Sequence, residues 1–403
     1  MYRLKDICDY VTYRTAHIEN YVSTENMLPN KGGICASSNI PNGSAIEYKI
    51  GDILISNIRP YFQKIWQAKC DGACSADVLC IRSRSNADSR YLYYMLSQQA
   101  FFDYVMSGAK GCKMPRGDKK QIMQWKVSLP PLKEQKKIAN ILSSLDDKIE
   151  VNRRIMIILE QQAQALYKQW FVNFEFPNEE GNPYKSSGGK MVDSEQGTIP
   201  DEWGIGRLED VGDIIGGGTP SKAVLDYYTK DGIAWITPKD LSITQTKFTS
   251  KGEIDITELG YSNSSAKIIP RGSVLFSSRA PIGYISIAKN EVCTNQGFKS
   301  VVPHNGHTAF IYYFLLTNTS NIESQASGST FKEASGALMK ALNIVIPNDS
   351  ILDAFEKIIS PIFDAQENLE EENLKLATLR DSLLPKLMSG ELSVDDISTD
   401  LVC

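Results

Sequence analysis

Apolar residues recur every three or four positions along two long stretches of this chain, and elsewhere they cluster in short runs broken by turn residues. In the first stretch Ile138, Leu142, Leu145, Ile149, Asn152, Met156, Leu159, Ala163, Leu166 and Trp170 follow one another at steps of 4, 3, 4, 3, 4, 3, 4, 3 and 4. That period is the seam of a coiled-coil-like helix, with Asn152 as its one polar position. Pro130-Pro131 precede it, where the missing donor wastes no hydrogen bond. A helix over 133–170 would be roughly 57 Å long at 1.5 Å per residue. The second stretch has a less regular seam: Ile351, Phe355, Ile358, Ile362, Gln366, Leu369, Asn373, Leu376, Leu379, Leu383 and Leu387. Pro361 is expected to kink or divide it. A seam needs a partner, and each helix is the other's most available one. The alternative is that each packs only on its own globule.

The short runs repeat. Gly51-Asp52-Ile53-Leu54-Ile55-Ser56 returns 221 residues later as Gly272-Ser273-Val274-Leu275-Phe276-Ser277, and Tyr93-Tyr94 returns as Tyr312-Tyr313. Ser107-Gly108 returns as Ser327-Gly328, and Leu129-Pro130 as Ile346-Pro347. The first copy reads as β-like runs at 52–55, 78–81 and 125–129 with one helix over 89–106. The predicted order is a globule over 1–130, a helix over 131–172, a Gly/Pro/Ser-rich linker over 173–202, a second globule over 203–347, a second helix over 348–390 and a tail over 391–403. The fold class is α+β: two similar mixed α/β globules separated by two long antiparallel coiled-coil-like helices, with pseudo-two-fold symmetry. A duplicated globule on a spaced frame suits a partner that itself offers two sites.

Length, 403 residues, and an ordinary composition allow two or three full cores. No apolar run approaches the ~18 residues of a membrane helix, and the N-terminus has no signal-peptide pattern. The eight cysteines are scattered, with only Cys293 in the second globule, so no disulfide frame is shared. A cytoplasmic protein with reduced thiols is expected. Cys70, Cys74 and Cys80 lack zinc-knuckle spacing, so no metal is expected. The net charge of −5 divides unevenly: +6 over 1–130, +1 over 131–192, −3 over 193–347 and −9 over 348–403. The acidic balance sits in the last helical segment, which leaves room for a local nucleic-acid footprint.

Chemistry is sparse. Gly216-Gly217-Gly218-Thr219-Pro220-Ser221 lacks the lysine of a phosphate loop and the third glycine of a dinucleotide fingerprint, so it reads as a flexible surface loop. Asn182-Pro183-Tyr184 lacks one proline of the amino-methyltransferase motif. With three histidines and no triad-like or nuclease-like constellation, no catalytic residue is assigned. A basic loop is the better signal. Lys110, Lys113, Arg116, Lys119 and Lys120 fall in one stretch with Gly108, Gly111 and Gly117, and Ser327-Gly328-Ser329-Thr330-Phe331-Lys332 takes the matching place in the second copy. Cations on a Gly-rich loop can follow a phosphate backbone, although a solvated surface loop has the same composition. Arg59 and Arg279 each follow the repeated strand, where an arginine can meet guanine or phosphate or salt-bridge within its globule.

The chain resembles the specificity subunits of type I restriction–modification systems. Gly218-Thr219-Pro220-Ser221 with Ile233-Ala234-Trp235-Ile236-Thr237 is similar to the opening of that family's target-recognition domains. Cys293-Thr294-Asn295-Gln296-Gly297-Phe298 and Ser327-Gly328-Ser329-Thr330 are similar to later motifs. Leu129-Pro130-Pro131-Leu132-Lys133-Glu134-Gln135 with Ile138-Ala139 resembles the start of its spacer helix, and 379–391 resembles its C-terminal signature. The first globule departs from the pattern: it lacks the Gly-Thr-Pro run and reads Ala76-Asp77-Val78 at the Asn-Gln-Gly position. The resemblance implies two target-recognition domains reading a split site on double-stranded DNA, two modification subunits that methylate adenine, and restriction subunits that join them. It implies no cofactor on this chain, with S-adenosylmethionine, ATP and Mg on the partner subunits, and no membrane. Candidate DNA contacts are Arg59, Lys110, Lys113, Arg116, Lys119 and Lys120 in the first globule, and Thr219, Lys222, Lys239, Arg279 and Lys332 in the second. Candidate helix-pair seam residues are Ile138, Leu142, Leu145, Ile149, Asn152, Met156, Leu159 and Leu166 with Ile362, Leu369, Asn373, Leu376 and Leu383. Two other readings remain: a self-contained DNA methyltransferase or nuclease, which labelled S-adenosylmethionine and DNA would reveal, and a protein-binding scaffold, which would shift no duplex in a gel.

Overall fold

The computed structural model describes residues 1–37, 39–244, 246–279, 281–328 and 332–396. The chain forms two compact units, Met1–Val151 with the chain from Glu372 onward, and Asn152–Glu371. The division therefore falls inside both long helices.

In the first unit the strands Cys8–Tyr10, Val78–Ser83, Ile53–Ser56 and Ile65–Gln67 form an antiparallel sheet in that order. Ile53, Leu54 and Ile55 are all buried because the strand is covered on both faces. Ile53 and Ile55 meet the main core with Leu92, Phe101 and Phe102, while Leu54 meets a smaller cluster with Tyr48, Cys74 and Cys80. Tyr2–Arg3 pairs with Lys126–Val127. The single helix expected over 89–106 is two, Ser89–Leu96 and Gln99–Ser107. Ser97 Oγ donates to the Tyr93 carbonyl and Gln98 is extended, so the chain turns and Phe101 and Phe102 enter the core.

The second unit repeats this plan. Gly212–Gly216, Lys299–Pro303, Val274–Ser278 and Ile282–Ala288 lie in the same order, with Phe248–Thr249 added in parallel at the edge. Gly204–Arg207 pairs with Asn343–Ile346 as the first strand of the other unit does with 126–127. Here the helix that matches those two, Thr308–Gln325, is continuous. The segment expected as a linker is packed: Met191–Ser194 and Gly197–Pro200 form a hairpin, and Phe176 stacks on Tyr184 and Trp203 with ring centroids 4.6 and 4.9 Å apart.

The first long helix runs Leu132–Tyr167 and closes in a π-helical turn, Lys168–Val172. Ile138, Leu142, Leu145, Ile149 and Asn152 are buried, and Met156, Leu159 and Leu166 are half-buried. The second, Asp349–Ser389, is undivided at Pro361, an exposed position. Its early stripe differs from the expected seam: Leu352, Phe355, Ile359, Phe363 and Gln366 are buried, while Ile358 is 46% exposed. The aromatic core containing Trp170, Phe171, Tyr312 and Tyr313 sets that phase, since Leu352, Phe355, Ile359 and Phe363 belong to it. Ile362, Leu369, Asn373, Leu376 and Leu383 are half-buried. Among the described residues no helix is long and apolar enough to cross a membrane, and no cluster of metal-ligating side chains occurs.

Candidate nucleic-acid interface

The basic loop of the first unit is closed by Lys110 and Arg116, each donating its backbone N–H to the other's carbonyl at 2.9 Å. The closed loop docks on the end of the repeated strand. Arg116 bridges to Ile58, Arg59 N donates to Pro115 O at 2.8 Å, and Gly117 N donates to Asn57 O at 3.3 Å. Gly111, at φ +98°, supplies the left-handed turn. Gly117 is required by packing, since a Cβ there would lie 2.8 Å from Val105 Cγ1 and 2.9 Å from Asn57 Oδ1. This loop is held in place rather than loose.

Its charges are partly matched. Lys110 pairs with Asp118 and Arg116 with Asp77, both at 3.3 Å. Asp118 caps the short helix Lys119–Ile122 by accepting from the backbone of Gln121 and Lys120. The Gln121 N–H and the Lys110 ammonium hold its carboxyl below the usual range. Lys113, Lys119 and Lys120 are exposed, with no ion-pair partner among the described residues. Arg59 sits at φ 51°, and its Nε is buried with no hydrogen-bond partner among the described residues.

Among the described residues the second unit closes a loop at matching positions, with a different charge pattern. Ser327 and Glu333 close it, and Arg279 bridges to Glu333 as Ile58 does to Arg116. Thus Ile58, not Arg59, is the register partner of Arg279. Glu333 stands where the first unit has Arg116, pairing with Arg279 at 3.6 Å and Lys299 at 3.4 Å. Exposed Lys332 donates to the Glu323 carbonyl at 3.4 Å. Ser329, Thr330 and Phe331 of the expected motif lie outside the described residues.

Four of the second unit's five candidate contacts converge on one cavity of about 420 Å³. Thr219, Lys222, Lys239 and Arg279 line it with Trp235, Asn295 and Gln296. The Gly216–Gly218 run, expected to be flexible, is pinned beneath it. A Cβ on Gly217 would lie 2.0 Å from Asn295 O, and one on Gly218 2.3 Å from Ala266 N. Trp235 Nε1 donates to Gly218 O at 2.9 Å, and Thr219 hydrogen-bonds Gln296. Lys239 pairs with Glu253 at 2.6 Å. Asn295 Oδ1 accepts from Gly297 N at 2.8 Å. The two amides were absent from the candidate contacts, though the Asn-Gln-Gly string was visible. Side-chain amides and arginine are the groups that pair with adenine and guanine edges.

The family model of the type I restriction modification DNA specificity domain matches the chain over residues 1–161 and 200–378. The chain belongs to this family. It is 26% identical over 434 aligned residues to the type I restriction enzyme HindI specificity subunit of Haemophilus influenzae, covering 92% of this chain and 94% of that one. It is 37% identical over 187 residues to the MjaIX specificity subunit of Methanocaldococcus jannaschii, which covers 46% of this chain and 43% of that one. The solved S subunit of a type I restriction–modification system from M. genitalium shares its fold, with a TM-score of 0.56 at 14% identity over 96% of this chain and 95% of that one. DNA specificity is thus the activity of both matched regions, and the chain is a specificity rather than a catalytic subunit.

In a specificity subunit the recognition domains must be fixed to their frame, and the repeated tyrosine pair does this in each unit. Tyr94 OH donates to Asp146 at 2.6 Å, and Asp146 pairs with Arg380 at 2.6 Å. Burial opposes the Arg380 charge, but Asp146 and Asp381 outweigh it and raise its pKa. In the other unit Tyr313 OH donates to Glu160 at 3.3 Å, and Glu160 accepts from Gln366 and Lys247. The Lys247 ammonium sits 4.0 Å from the Phe363 ring centroid and 5.1 Å from that of Tyr313. Burial works to raise the Glu160 carboxyl, and Lys247 outweighs it. Gln135 adds a clasp at the start of the first helix: its buried amide accepts from Asp88 N and donates to the carbonyls of Pro130 and Asn86.

Proposed function

We propose that this chain reads a split DNA target, one half-site per unit, and brings two adenine-modifying methyltransferase subunits and later restriction subunits to it in the cytoplasm. The observation that carries this reading is the repetition itself: two sheets that share the order of four strands, each with a loop bridged to the residue just past the repeated strand. The loops differ in charge at matched positions, Arg116 against Glu333, as expected of two readers of different sequences. The two long helices pair antiparallel as a coiled-coil-like, pseudo-two-fold spacer. Contacts within each unit support this, because 146 meets 380, 156 meets 366 and 167 meets 355, in opposite order along the two helices. The candidate contacts of the first unit, Lys113, Lys119 and Lys120 foremost, follow phosphates, and the Thr219–Arg279–Gln296 cavity reads base edges in the second. S-adenosylmethionine, ATP and Mg belong to the partner subunits. Methylome sequencing of cells expressing the assembled system tests this. The expected result is methylated adenines in two short elements separated by a fixed unspecified gap. Methylation within one continuous element would contradict it.

A further inference from the structure

The first unit carries an exposed aromatic turn that its counterpart lacks. Pro60–Phe62 forms one 3-10 turn between Arg59 at φ 51° and Gln63 at φ 50°. Both lie in the left-handed region that non-glycine residues rarely adopt. The turn is braced by a second loop of the same kind: Asn30, at φ 53°, donates its N–H to Phe62 O at 2.8 Å, and Lys31, at φ 61°, donates to Gln63 O at 3.0 Å. Four of the seven such residues among those described thus surround one turn. Strain concentrated in this way marks a conformation that its surroundings impose.

What the turn presents is apolar. Tyr61 is 48% exposed and Phe62 37%, their ring centroids 4.7 Å apart. The surroundings are cationic. Lys64 Nζ lies 5.9 Å from the Phe62 ring, and Arg59 N is bonded to Pro115 of the basic loop. Burial lowers the Lys64 pKa, and the Arg59 charge lowers it further. Arg59 Nε is buried with no hydrogen-bond partner among the described residues, and Lys31 pairs with Asp381 at 3.7 Å. In the second unit the corresponding Pro281-Ile282-Gly283 has no aromatic ring, and its left-handed residue, Gly283, stands in the place of Phe62.

We propose that the Arg59–Gln63 turn is a DNA-contacting element of the first unit, with Tyr61 and Phe62 packed against a base step of the half-site and Arg59 directed at a flanking phosphate. A rigid apolar pair beside cations is suited to a duplex, where phosphates fix position and side chains wedge against bases. The proposal rests on the DNA-reading function above and adds to it a contact that is not electrostatic.

The test uses this chain assembled with its modification subunits and a duplex of the sequence found methylated in cells. Tyr61→Ala/Phe62→Ala is expected to weaken specific binding roughly tenfold or more, as loss of aromatic–base packing does. The slope of log affinity against log salt should not change, because no cation is removed. If the double variant melts early, Tyr61→Ala alone carries the test. In the unaltered protein, 5-iodouracil placed in the half-site should cross-link within 59–63. Unchanged affinity of the variants with no cross-link there overturns the proposal. So does unchanged DNA affinity with loss of the modification subunits, which would make the turn a protein-docking element. Absence of specific, salt-dependent binding by the unaltered assembly would instead overturn the DNA-reading function, and this contact with it.

Discussion

Glu356 shows how individual side chains hold a recognition domain on its helix. Its carboxyl group accepts the Phe310 N–H at 3.1 Å, at the start of the helix Thr308–Gln325. Burial nevertheless pushes its pKa up to about 7, against the lowering effect of the Phe310 and Ala309 N–H groups. The folded state therefore holds a proton that the unfolded chain releases near the ordinary carboxyl value. Its contribution is most favourable in acid and is lost as pH rises from about 4.5 through about 7, by at most ~1.4 kcal/mol per pH unit. Glu356→Gln keeps an acceptor for Phe310 and removes the titration. Thermal melts should show it close to the parent at pH 5 and more stable at pH 8, whereas parallel pH profiles would refute the assignment. Sequence alone exposes the Tyr-Tyr repeat but not its use. The partners of Tyr94 and Tyr313 are 52 and 153 residues away and differ between the copies.

At the scale of elements, the basic loop was legible as a cation cluster because five charges fall close together. Its pairing was not, since Asp77 reaches Arg116 only through the fold. Lys119→Ala/Lys120→Ala should weaken binding to all duplexes alike and flatten the salt slope by about one unit per lost phosphate contact. A slope equal to the parent's would mean that these lysines are only solvated. Arg116→Ala removes a side chain that must first leave Asp77, and should cost about 1–3 kcal/mol at a single base position if it reads that base. The same limit explains the split helix at 97–98 and the shifted stripe of the second long helix. Periodicity shows that a face is apolar, but the aromatic core of the second unit decides which residues of that face it covers.

At the scale of the molecule, the duplication was fully visible in spaced strings such as Gly51–Ser56 and Gly272–Ser277, and the shared strand order bears out two similar α/β units. The boundary between units was hidden because it falls within helices whose heptads continue unbroken across 151–152 and 371–372. That position makes a direct test of the central claim that the helix pair sets the distance between two half-site readers. One heptad added at each junction, between Val151 and Asn152 and between Glu371 and Glu372, leaves the internal contacts of both units intact. It lengthens the spacer by roughly 10 Å, or about three base pairs of duplex. Methylome sequencing should then report the same two specific elements with the unspecified gap enlarged by about three base pairs, while a heptad added to one helix alone should abolish methylation. An unchanged gap after the matched insertions would contradict the account.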